Sequence, residues 1–437
     1  MSGFRISRII ARRNRLALAL ALVLAPSADA ATISVDTEQD VSSPGSCSLR
    51  DAIQAVSSGE AVDGCIAGTG TDTIVFADGV QTITLSGANG ELAARGNLTI
   101  DGEDRLVTIQ RASADVPFRV LEMLSSDPLT LRRIQISGGN VDTGDGAGIL
   151  APLSHVVLVQ SVISGNTSTA GTALGGGLHA YSLEMSDSQV TGNASGNKGG
   201  GLYVYDAAEI MRSSIYGNSA ALSGGGVWAF SLALDDSTIN SNSSIEGSAI
   251  TTFNGLTMSN STIVGNTSTA TEAGSAIALF GGPFVSSIHN STISGNVAVA
   301  PCSDIRSQTS AATMNVSSSI IKGQCGASVL SLSSIAVTGN HDILDPAGGN
   351  ATLPADNLNC DPHVLPLADN GGPTLTAALG ANSCAIDHGA NPDALPFDQR
   401  GEPYAREAGA AADVGAFELQ VDVDRIFVDG FDGQAAR

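Results

Sequence analysis

Aromatic side chains are scarce, 4% of 437 residues with one tryptophan at Trp228, so any core must be built from aliphatic residues. Lys and Arg total 20 against 43 Asp and Glu, a net charge of −23, which excludes the basic footprint of a nucleic-acid binder and disfavours anionic lipid. No CxxC spacing and no histidine cluster accompanies the six cysteines, which argues against a metal site. No GxSxG elbow is present, and Gly144-Asp145-Gly146-Ala147-Gly148 lacks the lysine and hydroxyl residue of a phosphate loop. The longest apolar run near the start, Leu16 to Leu24, falls well short of the roughly 20 residues a membrane helix needs. Against these absences stand 51 glycines and a hydrophobic share of 42%, too apolar for a disordered chain.

The N-terminal 30 residues carry Arg5, Arg8, Arg12, Arg13 and Arg15, then the apolar run, then Ala28-Asp29-Ala30, the order of a secretory signal cut after Ala30. Its removal leaves 15 basic and 42 acidic residues, a net charge near −27. Cys47, Cys65, Cys302, Cys325, Cys360 and Cys384 form three neighbouring pairs separated by 18, 23 and 24 residues, which in an exported chain reads as local disulfides.

An internal repeat decides the architecture. SVISGN, SQVTGN, SSIYGN, STINSN, STIVGN and STISGN end at Asn166, Asn193, Asn218, Asn242, Asn266 and Asn296, in steps of 27, 25, 24, 24 and 30 residues. A second phrase keeps step with the first: GGGLHAY from Gly175, GGGLYVY from Gly199, GGGVWAF from Gly224, GSAITTF from Gly247 and GSAIALF from Gly274. Both alternate like strands, which predicts an inward column of Leu178, Leu202, Val227, Ile250 and Ile277 and a second of Ile163, Val190, Ile215, Ile239, Ile263 and Ile293. One such unit cannot bury its own apolar face, but stacked units can. The reading is an all-β, right-handed parallel β-helix of about 24 to 27 residues per coil. The asparagines form a structural column at one bend, where side-chain amides pass hydrogen bonds along the stack and tolerate left-handed backbone.

Ser48-Leu49-Arg50-Asp51 makes a capping box for a short helix to about Val56, with Leu49, Ile53 and Val56 on one face, suited to covering the N-terminal end of the stack. Residues Cys47 to Ile53, followed by Asp72-Thr73-Ile74-Val75-Phe76, resemble the CSLREA domain that opens many bacterial surface β-helix proteins, with Asp51 where that name has Glu. Asp369-Asn370-Gly371-Gly372-Pro373-Thr374, Cys384-Ala385-Ile386-Asp387, Phe397-Asp398-Gln399-Arg400-Gly401 and Asp413-Val414-Gly415-Ala416-Phe417-Glu418 resemble the choice-of-anchor Q domain. Arg425-Ile426-Phe427-Val428-Asp429-Gly430-Phe431-Asp432 is similar to the C-terminal IFxDGFE-type segments of exported Gram-negative proteins. These resemblances imply surface or extracellular residence and no particular reaction. The expected organisation is a signal peptide (1–30), cap and first coils (31–110), central repeats (111–330), C-terminal coils (331–418) and a tail (419–437) with a sorting or covering role.

A polar column of the repeat, Gln160, Asp187, Arg212, Asp236, Asn260 and Asn290 with Asp235 adjoining, supplies the candidates for chemistry: Asp187, Arg212, Asp235 and Asp236 loosely meet the needs of a lyase or a glycosidase. The competing reading gives them to bend chemistry, with Arg212 neutralising its neighbours. His179, Tyr203 and Trp228 point outward and are candidates to bind a ligand, beside a column of Tyr181, Tyr205, Phe230, Phe253 and Phe280 that either stacks sugar rings or packs as a ladder. No cofactor is implied. The acidic surface tolerates Ca²⁺ without a motif that demands it. The expectation is a secreted or cell-surface rod that contacts a polysaccharide or surface component without catalysis, with a pectate-lyase-like polysaccharide lyase or glycoside hydrolase as the alternative.

Overall fold

The computed structural model describes residues 30–41, 43–114, 116–270, 274–282, 284–298, 303–307, 313–323, 329–345 and 348–420. The expected leader up to residue 29, Cys302 and Cys325, and the tail motif from Arg425 lie outside the described residues.

The chain is a parallel β-solenoid. One coil shows the pattern: strand Leu178–Ser186, then Gln189–Thr191, then Ala194–Ser195, each hydrogen-bonded in parallel to its counterpart one coil on. Stacking generates sheets of 18, 11 and 6 strands along the rod. The 11-stranded sheet keeps one inward column in strict register, Ile83, Ile109, Ile136, Ile163, Val190, Ile215, Ile239, Ile263, Ile293, Ile321 and Leu344. These side chains are 0–3% exposed, and each contributes about 1.5–3 kcal/mol by leaving water. The 18-stranded sheet owes its size to long strands that turn a corner: register shifts between Ala180 and Leu183, and between Val204 and Ala207, let one strand line two faces. Glycines permit the coils to close. A Cβ on Gly201 would stand 2.7 Å from the Gly226 carbonyl oxygen.

The N-terminal end is covered by the single helix among the described residues, Leu49–Ser58. Ser48 caps it by accepting from the Asp51 amide, Gly59 ends it at φ 70°, and Leu49, Ala52, Ile53, Ala55 and Val56 are buried against the first strands. Cys47 is bonded to Cys65 beside it. Arg50 pairs with Asp40 at 2.8 Å and donates to the carbonyls of Gly90 and Glu91, so the Leu-Arg-Asp core of the helix signature is used to dock the cap.

The asparagine column is a ladder. Asn193 Oδ1 accepts from both the amide nitrogen and Nδ2 of Asn166 at 3.0 and 2.9 Å, and Asn218, Asn242, Asn266 and Asn296 repeat this pattern. The left-handed residue is not the asparagine, as the sequence suggested, but the one before it: Gly165, Gly192, Gly217, Ser241, Gly265 and Gly295 all have φ between 56° and 66°. The left-handed turn thus precedes the amide, and the asparagine side chain is buried.

Coils do not continue to residue 418 as expected. The parallel stack ends with strand Gly348–Thr352, and residues 358–420 fold back along its side. This segment holds the antiparallel pair Val364–Ala368 and Thr376–Leu379 and the disulfide Cys360–Cys384. It lies on an outward column of the 11-stranded sheet, Thr238, Thr262, Thr292, Ile320 and Ile343. Gln399 Nε2 donates to Thr238 Oγ1 at 2.8 Å, Thr262 Oγ1 donates to Gln399 Oε1, and the Ala416 amide donates to Thr292 Oγ1. Ile320 and Ile343 join Leu379, Ala385, Val414 and Phe417 in a second apolar core. Local disulfides of this kind belong to oxidising compartments, and no helix among the described residues is long and apolar enough to cross a membrane.

Candidate functional site

Gln160, Asp187, Arg212, Asp236, Asn260 and Asn290 occupy one corner of the solenoid, all with φ between 44° and 51°. Polar residues, Asn and Asp above all, tolerate this conformation best. The turn serves the next residue in each coil, always a serine. The Ser161 amide donates to Ser188 Oγ, Ser188 to Ser213, Ser213 to Ser237, Ser237 to Ser261, Ser261 to Ser291 and Ser291 to Ser319, at 2.9–3.3 Å. A second polar ladder therefore parallels the asparagines. It is legible afterwards as a serine following each member of the polar column, but its period hides inside the strand phrases.

The candidate residues for chemistry sit on this corner. Arg212 holds Asp187 in a bidentate pair, Nε to Oδ1 2.8 Å and Nη2 to Oδ2 2.9 Å. Asp236 accepts from Asn260 Nδ2 at 2.7 Å. Desolvation, reinforced by neighbouring Asp235, pushes the Asp236 carboxyl up to about 6. Asp235 is raised too, by desolvation and then by Asp393.

Beside the corner, the outward face of the 18-stranded sheet forms an open groove of about 480 Å³. Two register columns make its floor: Val157, Glu184, Glu209 and Ala233, and Val159, Ser186, Met211 and Asp235. Arg132 continues the second column at one end. Ser259 and His289 continue it beyond Asp235, where the folded-back segment delivers Asp393. His289 Nδ1 lies 3.0 Å from Asp393 Oδ2, and its Nε2 lies 3.2 Å from Asn315 Nδ2. Asp393 was not foreseen, because it reaches the corner from 104 residues away.

The aromatic candidates stack on one another. Tyr203 and Trp228 are parallel with centroids 4.3 Å apart, and His179 meets Tyr203 edge-on at 4.9 Å. All three are only 7–8% exposed, so the expectation that they offer open surface to a ligand is corrected: ring faces are spent on each other and Lys198 Nζ lies 5.5 Å above Trp228. Tyr181, Tyr205 and Phe230 remain exposed at the neighbouring position, with Tyr181 and Tyr205 stacked at 5.8 Å.

The motifs of the C-terminal segment hold it together. Arg400 pairs with Asp398 at 2.6 Å and lies between the rings of Tyr404 and Phe417 at 3.9 and 4.0 Å. Fully buried Arg406 donates to the Asp413 carbonyl at 2.6 Å and faces Glu418 at 3.5 Å. Burial raises Glu418 to about 7, although it accepts from the amides of Ala408 and Asp413. Among the described residues no group of three or more His, Cys, Asp or Glu side chains is placed to hold a metal ion.

No family model matches the chain, and no curated protein matches it in sequence. Among solved structures it is similar to one described as the crystal structure of pectate lyase Pel9A, at 12% identity over 89% of this chain and 96% of that one, with a TM-score of 0.45.

Proposed function

We propose that the protein is a secreted or cell-surface β-helix that contacts a glycan or matrix polymer along its lateral groove without transforming it. The observation that carries this reading is the groove itself, an open trough crossing several coils whose floor mixes apolar Val157, Val159, Met211 and Ala233 with Glu184, Glu209 and Asp235, shaped for an extended chain rather than a small molecule. The polar column beside it is engaged in backbone turns and in the Asp187–Arg212 and Asp236–Asn260 contacts, which leaves these residues structural work. Two disulfides, the signal-like N terminus and the resemblance of the two ends to CSLREA and choice-of-anchor Q domains support residence outside the cytoplasm of a Gram-negative bacterium.

One observation favours the alternative of a polysaccharide lyase or hydrolase: Asp235 and Asp236, both with raised pKa, stand near the His289–Asp393 pair. Incubating the protein with a panel of polysaccharides, with and without Ca²⁺, separates the readings. Retention on a glycan array with no new reducing or unsaturated ends is the expected result. Product formation that is lost in Asp235→Asn or Asp393→Asn establishes the enzyme instead.

A further inference from the structure

We propose that the groove takes a linear polymer bearing protonated amines, such as a β-linked glucosamine chain, in preference to neutral or uronate polymers. This deepens the glycan-contact reading and rests on it.

Glu184 and Glu209 are register partners on adjacent strands of the groove floor. Strands lie about 4.8 Å apart, and like charges directly opposite across a strand pair are unfavourable. Little in the protein relieves them. His155 Nε2 lies 3.5 Å from Glu184, while Glu209 has no ion pair among the described residues. Further along, Asp235 lines the same trough and adds a third carboxylate to its path, while Asp393 behind it is held by His289. A cation laid along the trough would meet Glu184 and Glu209 on consecutive rungs and then Asp235, converting repulsion into attraction at each. Beside the carboxylates the floor is apolar, with Val157 and Ala233 flanking the two glutamates in their column and the 40%-exposed Met211 next to Asp235 in the other, a surface for the C–H face of a sugar ring. A polyuronate would instead face these carboxylates with its own, and among the described residues Arg132 is the one Lys or Arg lining the trough.

The test is calorimetric titration of the full chain with three short oligomers, of glucosamine, N-acetylglucosamine and galacturonate, at a pH where the amines are charged. The expected result is tightest binding of the glucosamine oligomer, weakened by salt and reduced about tenfold in Glu184→Gln/Glu209→Gln. The control Glu60→Gln/Asp78→Asn, which removes the same charge from exposed positions elsewhere, is expected to bind within about twofold of the unmodified chain. Equal or tighter binding of the acetylated or uronate oligomers, or a loss in the control equal to that in the groove variant, overturns the selectivity and leaves glycan contact standing. Failure of all three oligomers to bind overturns both.

Discussion

Arg212 reaches back one coil to clasp Asp187 with two hydrogen bonds of 2.8 and 2.9 Å, and both residues occupy left-handed backbone. The pair is more than 30% exposed on both sides, so its Coulomb energy is screened and its net contribution is below about 1 kcal/mol. The backbone conformation is the stronger constraint. Asp187→Asn is expected to leave stability within about 0.5 kcal/mol, whereas Asp187→Val, β-branched at φ 50°, is expected to cost about 1–3 kcal/mol. Chemical denaturation of the two variants checks this, and equal losses would show that the ion pair outweighs the turn.

The asparagine ladder predicts a larger penalty. Asn218 Oδ1 accepts from the amide and Nδ2 of Asn193, and its own Nδ2 donates to the Val190 carbonyl. Asn218→Leu strands these buried groups and is expected to cost about 3–5 kcal/mol, while Asn240→Leu, on the outward side of the next coil, is expected to cost under about 1 kcal/mol. Similar unfolding midpoints for the two would contradict the ladder's energetic role.

Stability is expected to decline from acid toward neutral pH. Asp342 follows left-handed His341 and takes the place that serine holds in earlier coils, accepting from the Ser319 amide at 3.0 Å. Burial pushes its carboxyl up to about 8. An unfolded aspartate titrates near 3.9, so between about pH 4 and 8 the folded protein keeps a proton that the unfolded chain has lost, and each rise in pH favours unfolding. Buried Asp304, raised to about 7, acts in the same direction. Asp342→Asn keeps the acceptor and removes the titration. It is expected to gain about 2–4 kcal/mol at pH 8 and nothing at pH 4, read from denaturation at the two pH values.

Gln399 links the folded-back segment to two threonines of the stack, Thr238 and Thr262, and also donates to Thr374 within the segment. Its replacement by leucine leaves their hydroxyls short of partners at a buried contact, a cost of about 1–3 kcal/mol confined to that segment. Faster amide exchange across 358–420, with the 11-stranded sheet unchanged, is the expected signature. Uniform acceleration throughout would mean that segment and stack unfold as one.

Trp228 reports on the aromatic ladder. Being 8% exposed and stacked on Tyr203, it is expected to emit at short wavelength, to resist acrylamide quenching and to ignore a ligand in the groove. A spectral shift on glycan binding would move the contact surface to the aromatic face.

The stack was readable because its cause is local and repeated: Ile163, Val190, Ile215 and Ile239 recur in one phrase, and a period of about one coil leaves them no other common place to be buried. The corner residues were found as a column, but their geometry was divided wrongly, since turn and amide ladder fall on neighbouring positions, Gly192 before Asn193 and Asp187 before Ser188. The folded-back segment left a fainter trace. Outward positions that read Gln189 and Ser214 change to Thr238, Thr262, Thr292, Ile320 and Ile343, a drift toward burial that no repeat alone explains. His289 and Asp393 left none, because nothing about either residue names a partner so distant in the chain.

Because the segment anchored by Gln399, Ala416 and the Ile320–Ile343 core spans consecutive coils from Thr238 to Ile343, it acts as a gauge of fixed length on that half of the rod. Gaining or losing a whole coil there would throw every anchoring point out of step. Among the described residues no hydrogen bond of the segment reaches a coil before Asp236, so a coil gained or lost between the helical cap and Gln160 is expected to leave the anchors in step.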